Sequence, residues 1–267
     1  MSFGLAKTDS FLLNTASIMI GAQSALYTLN DAQSIGLVKD FQVSADPAYT
    51  ELMQGVRNDI VYSVLTANNV KASMQAFEYT PSNLSYALGL DPSALVAAPP
   101  ASVALKASIT AAATALTFDA ATDASADWPI GRFISIQSVT NPNQTHIAKI
   151  TATSFSTLVQ TVTFTGFAIP TGVTFAIGDK VSQVHRIALG NQADQPFFAA
   201  KVVSRLPNGK NLVLLLPKIR IIKGFNLAFN SKDFGSMPLE FEIYNTVSTD
   251  PNYADFSTRR ADMYVEG

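Results

Sequence analysis

The residues of this chain whose types suit acid–base or metal chemistry are few: His146, His185 and the carboxylate pair Glu240 and Glu242. The spacing i, i+2 puts both glutamates on one face of a strand, where paired carboxylates can share general acid and base work. No cleft-forming motif or third partner accompanies them, so they read as a solvated sheet face. Each histidine falls on a strand candidate and reads as a half-exposed strand residue rather than a ligand. The absence of cysteine excludes disulfides, thiolate metal sites and a cysteine nucleophile. Neither HExxH, GxSxG, a P-loop nor GxGxxG occurs in the sequence. Asp250-Pro251-Asn252 reads as a turn, without the ligand spacing of a calcium loop. The expectation is a protein that is not an enzyme and takes no cofactor and no metal.

Composition points the same way. The 267 residues are long enough for one large or two smaller domains. Apolar residues make up 48% and charged residues only 14%, below the usual quarter or so of a soluble domain, so much of the surface is expected to be covered. A formal net charge of -2 supplies no basic excess for holding phosphates, which argues against tight nucleic-acid binding. No apolar run is long enough to span a bilayer, and Met1 to Ile20 is broken by Asp9, Ser10 and Asn14, unlike a secretory signal. The chain is expected to be made in the cytoplasm, with no membrane partner.

Along the chain, Met1 to Asp31 lacks periodicity and reads as an extended arm. The organising stretch runs from Ile35 to Leu90. Ile35, Leu37, Phe41 and Val43 alternate with Asp40, Gln42 and Ser44, the period of a half-buried strand. Asp46 to Arg57, punctuated by Pro47 and Gly55, reads as a protruding loop, and its Tyr49, Leu52 and Met53 imply that it docks somewhere. Asn58 to Thr66 sets Ile60, Tyr62 and Val64 against Asp59 and Ser63. Asn68-Asn69 reads as the turn of a hairpin that returns along Val70 to Tyr79. Thr80 then caps a helix with Pro81 in its first turn, an apolar stripe of Leu84, Ala87 and Leu88, and Gly89 as its stop.

Ala94 to Ala104 reads as a linker, and Pro99 to Ala188 as an inserted small β domain, barrel or sandwich. Its strand candidates are Ala115 to Phe118, Phe133 to Val139, Ile147 to Thr153, Gln160 to Phe164 and Lys180 to His185. Trp128 in Trp128-Pro129-Ile130-Gly131-Arg132 reads as a core anchor rather than a ligand platform. After Gly190 to Gln195 the first composition returns. Phe197 to Arg205 and Asn211 to Leu216 form a hairpin through Pro207-Asn208-Gly209, and Ile219 to Asn230 and Leu239 to Asn245 are strands with one wet face. Asp250 to Gly267 lacks periodicity and reads as a second arm. The domain expectation is therefore 1–98 and 189–267 as one core with two terminal arms, and 99–188 as the insert. A low-charge, strand-rich chain with arms and an apolar-tipped loop makes sense if several copies join edge to edge, because closure removes unpaired strand edges.

Three stretches carry a family resemblance: DPAYTELMQGV at Asp46 to Val56, TPSNLSYALGL at Thr80 to Leu90, and FEIYNTVSTDPNYADF at Phe241 to Phe256. They resemble the tail tube, or major tail, proteins of tailed bacteriophages, over about Ile35 to Leu90 and Phe197 to Phe256. The resemblance implies a mainly β chain with a tail-tube β-sandwich or barrel and one flanking helix. It implies six copies in a ring, rings stacked into a tube, and a continuous β-barrel around a channel that genome DNA crosses transiently. Asp46 to Arg57 would then be the inter-ring loop, with Pro47, Tyr49, Glu51, Leu52, Met53 and Arg57 as its contacts. The polar faces carrying Asp59 and Ser63, or Glu240 and Glu242, would be candidate lumen linings, mildly acidic so that phosphates slide without sticking. Implied partners are other copies and the terminator, tape measure and baseplate or tip proteins of a virion tail. The insert departs from a minimal tube protein; an open channel requires it to project outward, which by sterics favours a non-contractile tail. Two alternatives remain: a glycan-binding or adhesion module using Trp128, and the tube of a related secretion or tailocin system.

Overall fold

The computed structural model describes residues 16–54, 59–92, 99–165, 169–190, 195–206, 208–224, 226 and 235–266. The chain is mainly β, with two antiparallel sheets in two compact units. One unit is Met1–Pro92 with Leu189–Gly267, and the other, Ser93–Ala188, interrupts it in sequence.

The first unit contains β1 (Ala16–Ala22), β2 (Val38–Gln54), β3 (Asp59–Ala76), helix α1 (Pro81–Ala87), β10 (Phe198–Arg205), β11 (Asn211–Lys223), β12 (Met237–Ile243), helix α2 (Tyr253–Phe256) and β13 (Asp262–Val265). Its strand order is β1-β10-β11-β12-β3-β2, and β13 pairs with β11. The inward residues of these strands, among them Ile18, Ile20, Val202, Leu216, Ile219, Leu239, Phe241 and Met74, form one buried cluster. The Thr80 hydroxyl caps α1 by accepting from the Asn83 amide at 3.1 Å, as the Thr-Pro start predicts. The buried face of α1 is Asn83, Ser85, Tyr86 and Ala87, rather than a Leu84, Ala87 and Leu88 stripe. Tyr86 leads this face, its ring meeting Phe198 edge-on at 5.2 Å and its hydroxyl donating to the Ile20 carbonyl at 2.8 Å, while Leu84 packs partly buried against the same core.

Four expectations change here. Residues 16–33, read as arm, form β1 and two 3-10 turns, and Ile18 and Ile20 are core. Short strands with small polar residues on one face simply carry too little pattern to be seen. Asp250 to Gly267, read as the other arm, folds back: Phe256 is buried with Leu26, Ala199 and Leu215, and Asp262–Val265 pairs with Leu212–Leu215. β11 continues through Pro217 where two strands were expected. There it changes neighbour from β13 to β12, and its register with β10 shifts, so no partner requires the missing N–H. Leu37 is exposed, and Val38 instead faces the core with Phe41, because Asp40 adopts φ 56° in a bulge between Lys39 and Gln42 that resets the alternation. The Asn208-Gly209 hairpin stands, with Gly209 at φ 82°. Of the Ile219 to Asn230 strand, Phe225, Leu227, Phe229 and Asn230 lie outside the described residues.

The second unit contains β4 (Val103–Ala104), β5 (Ala115–Asp119), β6 (Phe133–Gln137), β7 (Thr145–Ser156), β8 (Val159–Thr165) and β9 (Lys180–Val184), in the order β4-β9-β6-β7-β8-β5. The Lys106 amide donates to the Thr117 carbonyl at 2.8 Å, drawing the chain after β4 to β5 and bending the sheet toward a barrel. Its core is its own: Leu116, Phe118, Ile134, Ile136, Ile150, Val162, Phe164 and Trp128. Trp128 is 1% exposed and stands 5.0 Å from Phe118, a core anchor. The buried Gln160 accepts from the Ala124 amide and donates to Ser125, pinning the segment that carries Trp128.

Candidate self-assembly surface

β2 and β3 make one long two-stranded ribbon, paired from Val38 opposite Ala76 out to Gln54 opposite Asp59, with register shifts between Lys39 and Gln42, between Ala48 and Tyr49 and between Leu52 and Met53. β12 accompanies β3 only from Val70 to Ala76. Beyond Val70 the ribbon has no further strand beside it among the described residues, and nine residues of β2, Asp46–Gln54, correspond to about 30 Å of strand. The expected loop from Asp46 is therefore strand as far as Gln54, and Asn68-Asn69 lies inside β3 rather than at a turn. Asparagine tolerates a turn but does not impose one, and the pairing of Asp46 with Asn69 and Pro47 with Asn68 holds the backbone extended. Pro47 fits because β2 is an edge strand whose outer side needs no donor.

The ribbon is apolar on both faces. Leu52 pairs with Tyr62 and Thr50 with Val64, while the neighbouring pairs are Tyr49 with Leu65 and Glu51 with Ser63. Tyr49 is 58%, Leu52 63% and Tyr62 64% exposed, and Met53, Ile60, Val61, Val64 and Leu65 are exposed as well. Ile60, Tyr62 and Val64 thus lack the buried face that their alternation with Ser63 predicts. A lone hairpin is at best marginally stable in water. Fully burying one such side chain stabilises by about 1.5–3 kcal/mol, so a covering surface would stabilise the ribbon strongly.

Of the six expected loop contacts, Pro47, Tyr49, Glu51, Leu52 and Met53 lie together on β2, and Arg57 lies outside the described residues. Ile60, Val61, Tyr62, Val64 and Leu65 were missed as surface residues; their signal was the run Ile60-Val61-Tyr62, which leaves no polar face. Of the candidate lumen residues, Asp59 pairs with Gln54 at the far end of the ribbon and Ser63 with Glu51. Glu240 and Glu242 lie in the sheet proper. Ten strand residues separate Ser63 from Ser73, the partner of Glu240, which is about 33 Å. The two pairs therefore occupy separate places.

Around the glutamates the sheet face is not purely acidic, because cations from neighbouring strands stand beside them. Glu242 stands between Lys71 on β3 and Arg220 on β11, and Glu240 between Ser73 and Lys223. Glu242 accepts a hydrogen bond from the Tyr244 hydroxyl at 2.7 Å, which, with burial, raises the Tyr244 pKa. The Arg220 guanidinium stacks 4.3 Å from the Phe197 ring and 5.7 Å from Tyr244. These cations sit on other strands, outside the reach of an i, i+2 reading.

No protein-family model matches this sequence, and no curated protein matches it either.

Among the described residues no group of three or more His, Cys, Asp or Glu is placed to hold a metal ion, and no helix is long and apolar enough to cross a membrane. His146 is buried on β7, opposite Ile136, and His185 follows β9 half-buried. A second free edge is more informative. Among the described residues β13 is bonded to β11 on one side only, and Met263, Tyr264 and Val265 are exposed. The edge of β1, by contrast, is occupied: Met19 bridges Ser34, and the Ile35 amide donates to the Ile18 carbonyl at 3.0 Å.

Proposed function

We infer that this chain is a structural subunit of a bacteriophage tail tube, which assembles into stacked hexameric rings around a β-lined channel that carries genome DNA. The observation that supports it best is the ribbon, an apolar strand pair with both faces in water at the place where the resemblance puts the inter-ring contact. A protein that stays alone gains nothing from such a surface, whereas one that stacks on itself buries it.

The rest of the reading follows from that use. α1 is the flanking helix of the tube fold, and the unit Ser93–Ala188 is an insert that projects outward, since the channel must stay open. A face on which Glu240, Glu242 and Asp40, the last lining the same hollow as Glu240 and Lys223, offset Lys71, Arg220 and Lys223 suits a lining past which DNA moves, because it offers phosphates no net cationic surface and so little counterion release. The partners are other copies, together with terminator, tape measure and baseplate or tip proteins, and the site of action is the virion tail. The role is architectural, without catalysis. The burial of Trp128 disfavours the glycan-binding alternative, which needs that ring exposed. Negative-stain electron microscopy of the purified chain over a range of concentrations tests the reading. Hollow tubes or six-fold rings are expected, and a chain that stays monomeric throughout overturns it.

A further inference from the structure

We propose that the free edge of β13 is the seat for the β2–β3 ribbon of a second copy, so that subunits join by strand addition at residues 262–265. This rests on the self-assembly reading above and names the two surfaces that meet.

The argument begins with the strand edges. Of the two ends of the first unit's sheet, β1 is stopped by Ser34 and Ile35, while β2 runs free. Apart from the two sides of the ribbon itself, the first unit's described residues leave the outer side of β13 unpaired. It carries no lysine or proline, and Met263, Tyr264 and Val265 are each more than half exposed. The chain's own ribbon does not fill this edge: among the described pairings, residues 59–69 of β3 meet only β2.

One molecule therefore carries an apolar strand pair to offer and an apolar strand edge to receive it, in different places. Two such surfaces on one chain make a head-to-tail contact, which closes into a ring or continues as a stack. Strand addition supplies main-chain hydrogen bonds, and alternate side chains supply register, here Leu52, Tyr62 and Val64 on the donor and Met263 and Val265 on the acceptor. The eight large apolar side chains of the ribbon together offer area on the order of the 800 Å² per partner that a stable interface takes.

The lack of cysteine makes the test clean. Chains carrying Leu52→Cys or Tyr62→Cys are mixed with chains carrying Met263→Cys or Val265→Cys, allowed to assemble and oxidised. A disulfide-linked dimer is expected from at least one mixed pair and from neither variant alone, together with slowed hydrogen exchange at residues 262–265 on assembly. Rings or tubes that form without that dimer and without protection of 262–265 overturn the β13 seat and leave the tube reading standing. A chain that forms no assembly at any concentration overturns both.

Discussion

The Lys218 ammonium lies 2.7 Å from an Asp250 carboxylate oxygen, with the two side chains only 9% and 12% exposed. Asp250 also accepts the Val247 amide at 2.7 Å, and Lys218 sits 4.5 Å over the Phe197 ring. The pair ties the segment leading to α2 and β13 onto the sheet. Removing one partner strands a buried charge, so Asp250→Ala is expected to cost about 3 kcal/mol in chemical denaturation.

The same pair sets an acid dependence. Burial pushes the Asp250 carboxyl up, but hydrogen bonds from Lys218 and the Val247 amide, with the lysine charge, outweigh it and hold the pKa below the ordinary value. A depressed carboxyl stabilises the fold above its unfolded pKa of about 3.9, and that contribution is lost as pH falls through the folded value. The stability gap between the wild type and Asp250→Asn should therefore be full near pH 7 and shrink below about pH 4. A gap unchanged down to pH 2.5 would contradict this.

Tyr86 should show the opposite window. Burial, then the nearby Asp91, pushes its phenol up to about 12. Stability it contributes is present below the unfolded value near 10 and declines as pH rises toward 12. Ultraviolet titration should find one fewer phenol ionising above pH 11 in Tyr86→Phe, and loss of its bond to Ile20 should cost about 1 kcal/mol.

Charges on the ribbon should separate folding from assembly. Leu52→Lys with Tyr62→Glu, which sets opposite charges across the pair, leaves the thermal midpoint of the monomer within a degree or two, since exposed sites away from the core contribute about 0.5 kcal/mol or less. Sedimentation velocity is expected to show that the variant stays monomeric at concentrations where the wild type assembles. Assembly equal to wild type would remove the ribbon from the interface.

The unit Ser93–Ala188 should fold alone, because it holds its own core and its first and last strands pair with each other, Val103 opposite Val181. Residues 93–188 expressed separately are expected to melt cooperatively with blue-shifted fluorescence from Trp128, the sole tryptophan. Trp128→Ala should cost about 3–5 kcal/mol, enough to unfold the isolated unit. A red-shifted, non-cooperative fragment would show that it depends on the rest of the chain.

Much of this was legible from residue order. Short strand runs between glycine and proline turns placed β5 to β9 within a few residues of their ends, although β4 fell in the stretch read as linker; Thr80-Pro81 located the helix start, and Asn208-Gly209 the hairpin. Each is set by neighbours within a few positions, so local chemistry suffices. The apolar character of Tyr49, Leu52 and Met53 was equally plain, and with it the need for a partner surface. Long-range pairing was not legible. That Asp46 to Gln54 is strand depends on Asp59–Asn69 lying opposite; that the last residues are sheet rather than arm depends on the open edge of Leu212–Leu215; and that Glu240 and Glu242 face Lys71, Arg220 and Lys223 depends on β11 and β3 flanking β12. Composition and period decide which side chains want burial or water, while only the folded sheet decides which strand edges and apolar faces are left without a neighbour, because that is a property of the partner found across the chain.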